Sequence, residues 1–361
     1  MYVDKTRFIH QLIIGSNRYV SLCRPPKFGK SLLLSTMKAV FEGRKELFQG
    51  LYIESKISWE QHPVILLDMT RNAENLQTLK LSLAVSLKAI AADYQIALSY
   101  DDPTILFEEL IRLLNQKSSK QVVVLIDEYD KPILDAMEDM DKAQEIRDFL
   151  QNFYVVLKST TAHLRFVMLT GVSRINLTST FSGLNNILDI TFDDQFAEIC
   201  GYTLDELENY FGQEIRALAE KNQLTYNDTL VRIKEWYNGY SWNGEVFLYN
   251  PYSVWLLLQK GYFEAHWYNA RTPTFLFKLL KGKDDLILLL AEKIVVRRDF
   301  ISKQTLEKLE VLPLLFQTGY LTIKRFDIEH GTFELQIPNK DAHLLALAFT
   351  KGAIGFKEEI L

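Results

Sequence analysis

Gly29, Lys30 and Ser31 end the stretch Arg24-Pro25-Pro26-Lys27-Phe28-Gly29-Lys30-Ser31-Leu32, and the acids Asp127 and Glu128 directly follow the apolar run Val122-Val123-Val124-Leu125-Ile126. A lysine and a hydroxyl at a helix start, with two adjacent acids at a strand end, are suited to a polyphosphate bound together with a divalent cation. In the loop G-x-x-x-x-G-K-[ST], backbone N–H groups cradle anionic oxygens, the lysine reaches the outer phosphates and the hydroxyl ligates Mg²⁺. Asp127 would then join the Mg²⁺ shell, and Glu128 would polarise an attacking water.

The loop departs from its pattern, because Arg24 stands where the first glycine belongs and Pro25-Pro26 fix φ where glycine would free it. Alone, Gly-Lys-Ser reads equally well as a helix start with no ligand. Two incomplete motifs in the right order are far more specific than either one. Thr170, at the end of the next apolar run, would be a polar group between metal and γ-phosphate, against the plainer reading of a β-branched residue finishing a strand. Arg174, after the Gly171-Val172-Ser173 turn, could neutralise charge on the transferring phosphoryl group. Asp130 precedes Lys131-Pro132 and reads more readily as a turn former than as a second-shell metal partner.

The elements that must position these groups alternate. Tyr19–Cys23, Pro63–Asp68, Val122–Asp127, Leu164–Thr170 and Ile187–Thr191 read as buried strands. Helical periodicity runs through Leu33/Met37/Val40, Leu76/Leu79/Leu83/Leu87, Leu106/Leu110/Leu113 and Ile146/Leu150/Phe153. This pattern predicts an α/β fold of the P-loop NTPase type, a parallel sheet sandwiched by helices with ligands at the carboxyl ends of the strands. Residues 1–17 read as a short helix that could lie across the base of a nucleotide.

From the capping box Thr203-Leu204-Asp205-Glu206, helices are expected until about residue 300. A helix at about 303–317 should close at Gly319, followed by a hairpin of Tyr320–Lys324 and Thr332–Ile337 around His330-Gly331. The expected domains are an ATPase core at 1–200, a helical domain at 201–300, and a winged-helix-like module with a tail at 301–361. The aromatic group Trp236, Tyr237, Tyr240, Trp242, Tyr249, Tyr252 and Trp255 lacks interleaved basic residues, so it reads as helical-domain core rather than a base-stacking platform.

The chain has 361 residues, is 48% hydrophobic and 24% charged, and carries a formal net charge of −5, which argues against nucleic-acid binding through bulk charge. Two distant cysteines, Cys23 and Cys200, suggest neither a zinc site nor a disulfide framework, and the histidines have no metal-ligand spacing. There is no apolar run long enough for a membrane span and no signal-type core, so the expectation is a cytoplasmic protein.

Tyr2-Val3-Asp4-Lys5-Thr6, Arg24-Pro25, Phe28-Gly29-Lys30-Ser31, Asp127-Glu128-Tyr129-Asp130, Thr170-Gly171-Val172-Ser173-Arg174, Tyr237-Asn238-Gly239-Tyr240, Tyr249-Asn250-Pro251, Thr272-Pro273-Thr274-Phe275-Leu276 and Gln317-Thr318-Gly319-Tyr320-Leu321 occur in this order. Together they resemble the bacterial AAA-ATPase-like family over almost the whole chain, and more distantly the STAND and archaeal-ATPase type P-loop proteins. In that family arginine is usual at the position of Arg24. The resemblance implies ATP and Mg²⁺ as ligands, with residues 24–32 on the nucleotide, Ser31 and Asp127 on the metal, and Lys30, Glu128, Thr170 and Arg174 acting on the phosphates. It implies a regulatory ATPase that works as a nucleotide-dependent switch. The alternative is a nucleotide-bound adaptor with negligible turnover, docking a protein or DNA partner through its C-terminal region; self-association fits either. Many relatives continue into a PD-(D/E)XK nuclease-like domain after a Pro-Asn-Lys like Pro338-Asn339-Lys340. Residues 341–361 contain no Asp followed by Glu-x-Lys, so that domain is expected to be missing here.

Overall fold

The computed structural model describes residues 2–70, 75–174, 187–267, 294–301 and 310–343. Five parallel strands form the main sheet: β1 (Tyr19–Cys23), β2 (Val64–Asp68), β3 (Val122–Asp127), β4 (Leu164–Gly171) and β5 (Leu188–Asp189), in the order β2-β3-β4-β1-β5. Every residue of β1 and β3 is buried, as continuous apolar runs require when both faces of a sheet are covered. Because all pairs are parallel, the carboxyl ends of β1, β3 and β4 open on one side. β4 lies between the other two.

α1 (Thr6–Ile14) precedes β1, and α2 (Lys30–Phe41) follows it and packs on β2, β3 and β4. α3 (Leu76–Asp93) and α4 (Pro103–Ser118) fill the β2–β3 crossover; Asp102 caps α4 by accepting from the Thr104 and Ile105 N–H groups, with Pro103 in the first turn. A short α5 (Lys131–Ala136) and the long α6 (Met140–Ser159) lead to β4. The α/β class and the parallel sheet expected from the alternating pattern are what the chain adopts.

Beyond the sheet come α7 (Leu204–Lys221), α8 (Tyr226–Tyr237) and α9 (Pro251–Lys260). The Thr203/Glu206 capping box forms as read, and Glu206 also pairs with Lys5 at 2.6 Å, tying the N-terminal segment to α7. The stretch expected to be helical up to about 300 is corrected at its end. Ile294–Arg297 is a strand, β6, pairing antiparallel with the second strand of the hairpin β7 (Thr322–Asp327) and β8 (Thr332–Gln336). Its β-branched run Ile294-Val295-Val296 suits an edge strand. α10 (Val311–Gln317) ends before Gly319, whose φ of 88° is the expected left-handed turn. The start of the helix read at 303–317, and Thr272–Leu276, lie outside the described residues.

The apolar interior divides unevenly. One cluster runs from α1 and the main sheet through Tyr240, Trp242 and Trp267 to Leu315, Tyr320 and Phe333, so the hairpin module shares the core of the sheet. α7, α8 and α9 have a smaller core of their own around Leu207, Ile233, Tyr237, Tyr249 and Leu257. The aromatic group is thus split between the two cores, and Trp255 is 53% exposed. Asn339 Nδ2 donates to the Asn238 carbonyl at 2.6 Å, and Ser253 Oγ donates to the buried Asp341 at 2.7 Å, which pins the segment after β8 onto the helical region.

Gly239 has φ 100°, and a Cβ there would lie 2.1 Å from the Pro338 carbonyl oxygen. Gly239→Ala should therefore destabilise the fold by about 2–4 kcal/mol, from backbone strain and displacement of a backbone segment. Urea unfolding should show an earlier midpoint than for the exposed control Gly50→Ala, which meets no atom within 4 Å.

Candidate functional site

The turn between β1 and α2 owes its shape to two left-handed residues, Lys27 at φ 64° and Gly29 at φ 96°, flanking Phe28. Alternation of backbone hand curls successive N–H groups towards one point, the geometry that accommodates anions at a helix start. Lys30 opens α2 and is 3% exposed. Its ammonium donates to the Arg24 and Pro25 carbonyls at 3.0 and 3.2 Å and lies 3.1 Å from Glu128 Oε1. Burial works against the Lys30 charge, but Glu128, then Asp130 and Asp127, outweigh it and hold its pKa above the ordinary lysine value.

β3 delivers Asp127 and Glu128 to the same point. Glu128 has φ 54°, a conformation that costs a non-glycine residue about 1 kcal/mol or more and persists only where neighbours enforce it. The neighbours are identifiable: Tyr129 N–H donates to the Thr170 carbonyl at 2.9 Å, and Lys131 N–H donates to the Glu128 carbonyl at 2.9 Å. Thr170, fully buried on β4, donates its hydroxyl proton to Asp127 Oδ1 at 2.6 Å. Asp127 Oδ2 accepts no hydrogen bond among the described residues. Ser31 is exposed, and its hydroxyl likewise has no partner among them.

Lys27, Gly29, Lys30, Ser31, Leu32 and Glu128 line an open cavity of about 380 Å³, walled on its far side by Pro251, Tyr252 and Trp255 of α9. A narrower space of about 60 Å³ adjoins it, sharing Gly29, Leu32 and Pro251 and bounded by Tyr2, Val3, Lys5 and Cys200–Tyr202. The structure thus brings Lys30, Ser31 and Glu128 together around one space, with Asp127 and Thr170 directly behind.

Two arginines go elsewhere. The Arg24 guanidinium turns inward, donating to the carbonyls of Cys23, Thr191 and Phe196 at 2.9–3.2 Å and stacking over Trp242 at 4.0 Å. Burial pulls its pKa down to about 10, with Cys200, Cys23 and Asp189 opposing that shift. It meets the cavity only through its carbonyl oxygen, via Lys30. Arg174 pairs with Asp189 at 2.6 Å and faces Phe192, and it lines no part of the cavity that holds Lys30 and Glu128. Arg174, expected on a phosphate, is held in this structure by the β5 carboxylate instead. Phe28 is also turned inward, and Pro25 lines a separate small space with Arg24 and Arg174.

Asp130 lies in a turn, as read, and its carboxylate is also a clamp. It accepts from the Val172 N–H at 3.1 Å, the Ser173 N–H at 2.6 Å and the Ser173 hydroxyl at 2.8 Å, fastening the end of β3 to the loop after β4. Gly171 is obligatory beneath it, since a Cβ would come within 2.6 Å of both Asp130 Oδ1 and the Tyr129 ring. Tyr252 and Trp255, read with the other aromatics as helical-domain core, instead wall the cavity from a helix started by Asn250-Pro251.

The profile of the Predicted AAA-ATPase family matches residues 1–181, which contain both the lysine loop and the Asp-Glu strand end. The chain belongs to that family. This AAA-ATPase-like chain is also 39% identical over 358 residues, 95% of its length, to a protein of Azotobacter chroococcum mcd 1 described as an uncharacterized protein in the vnfD 5′ region, and spans 66% of that relative. Among solved structures, the ORC2 protein of Aeropyrum pernix in its ADPNP–ADP complexes is similar at 9% identity, covering 97% of this chain and 92% of that one with a TM-score of 0.36. No helix among the described residues is long and apolar enough to cross a membrane.

Burial, then Glu128, push Asp130 up from 3.8 to about 6 despite its hydrogen bonds. The fold therefore holds this proton more tightly than the unfolded chain does. Its stabilisation is complete below about pH 4 and is lost as pH rises through about 6. Asp130→Asn should flatten that part of the profile, read as the difference in Tm between parent and variant at pH 4.5, 5.5 and 7.

Proposed function

We propose that this chain binds ATP with Mg²⁺ and hydrolyses it, using the nucleotide as a regulatory switch. The observation that carries the reading is the 3.1 Å approach of the Lys30 ammonium to Glu128 in a cavity at the carboxyl ends of parallel strands. On entry, the β- and γ-phosphates would take over from Glu128 as partners of Lys30 and meet the curled N–H groups of residues 29–31. Glu128, freed from that ion pair, would take the proton of the attacking water. Thr170 would keep Asp127 oriented.

The donors suit a hard divalent cation. The Ser31 hydroxyl and one Asp127 oxygen are uncommitted among the described residues, and Mg²⁺ is held by one or two such groups together with phosphate oxygens and water. When bound, Mg²⁺ supplies charge neutralisation on the phosphate oxygens. The adjoining space beside Tyr2, Val3 and Tyr202 would receive the base, in keeping with an N-terminal segment lying across it. The C-terminal region would then dock a protein or DNA partner according to which nucleotide is bound.

Lys30→Ala should abolish retention of copurifying nucleotide, measured by mass spectrometry of the released ligand. Glu128→Gln should keep nucleotide but slow phosphate release by about 10²–10⁴-fold. Equal release by parent and Glu128→Gln would remove the base role of Glu128; tight retention with negligible release by the parent would favour the adaptor reading.

A further inference from the structure

The loop that would hold the phosphates has an unusual back. Four of its residues seat on the region after the main sheet. Arg24 stacks on Trp242 at 4.0 Å, and Phe28 meets Tyr240 and Trp242 edge-on at 4.9 and 5.4 Å. The Lys27 ammonium lies 3.7 Å from the centre of the Tyr252 ring. Pro25 abuts the turn at Gly319, where an added Cβ would come within 3.0 Å of it. Behind this contact, the Nε–H groups of Arg24 and Arg174 and both amide atoms of Gln317 are buried and have no hydrogen-bond partner among the described residues, and all three residues line one cavity of about 10 Å³.

A loop with its first glycine can reach an anion-cradling shape through its own freedom. This one has arginine, two prolines and a left-handed Lys27. Strained ordinary residues keep such a shape only where surrounding packing over-determines it. Tyr240, Trp242, Tyr252 and Gly319, all outside the ATPase strands, supply such packing. Tyr240 and Trp242 meet the loop ring to ring, whereas the Gln317 side chain makes no hydrogen bond among the described residues.

We propose that the region after the sheet sets the phosphate-binding shape of the loop, with Trp242 as its positioning residue, so that loop occupancy and the Gln317–Gly319 turn are reciprocally coupled. This rests on the nucleotide reading above and adds the route by which that nucleotide is sensed.

The chain labelled with 5-fluorotryptophan gives a test by ¹⁹F NMR, since its five tryptophans include one at the front of the loop, Trp255, one at its back, Trp242, and Trp59, packed on Phe48. Resonances are assigned by single Trp→Phe variants, and Mg²⁺ with ADP is the probe. The Trp255 and Trp242 resonances should both shift on saturation, while Trp59 stays. Trp242→Leu should weaken ADP binding roughly tenfold with an unchanged circular dichroism spectrum, and Trp242→Phe, which keeps an aromatic face for Arg24, should stay within about threefold of the parent.

A shift of Trp255 with Trp242 unmoved overturns the proposal and leaves the nucleotide reading intact. So does ADP affinity equal to the parent in Trp242→Leu. If the leucine variant does not fold, the resonances of the parent still decide. No ADP binding by the parent overturns both readings together.

Discussion

The site depends on one cation that has been taken out of water. An ammonium as buried as that of Lys30 is tolerable only if its protons and its charge are matched nearby. The match comes from two carbonyls of its own loop and from Glu128, just past the end of β3. That demand explains much of the architecture. β1 and β3 must run parallel so that loop and acids emerge on one side, and β4 must separate them so that Thr170 can hold Asp127 while Tyr129 binds back to β4. The strained backbone at Glu128 follows from this, because the carboxylate must turn towards the lysine while its neighbours remain fastened by Asp130 and Tyr129.

A second constraint is how the loop keeps its curve. Glycine reaches left-handed geometry at little steric cost, whereas lysine at the same geometry needs support from outside. The support is aromatic and distant in sequence, and it is continuous with the main core. That continuity is why the hairpin module reads as part of the same body as the sheet, whereas α7, α8 and α9 enclose a core of their own.

Features decided locally were legible in the sequence. Apolar runs ending in polar residues marked the strands and the side on which they open; the Thr203/Glu206 box and the Gly319 turn formed as read, because a cap and a left-handed turn depend on a few consecutive residues. What failed to be legible were side-chain directions set by distant partners. Arg24 and Arg174 stand close in sequence to the cavity residues, yet Trp242 and the backbone carbonyls claim the first and Asp189 the second. Asp130 showed only its turn in the sequence, because the donors to its carboxylate, Val172 and Ser173, belong to another strand's loop. β6 was missed because a short β-branched run reveals its pairing only when β8 is beside it.

α9 combines two duties at neighbouring positions. Tyr252 walls the cavity, while Ser253 holds Asp341 of the segment that follows the hairpin. Successive residues of a helix are fixed about 100° apart around its axis. Any screw motion that withdrew Tyr252 from the cavity would carry Ser253 through the same angle and break its grip on Asp341. Cavity wall and outgoing chain are thus geared to a single helix.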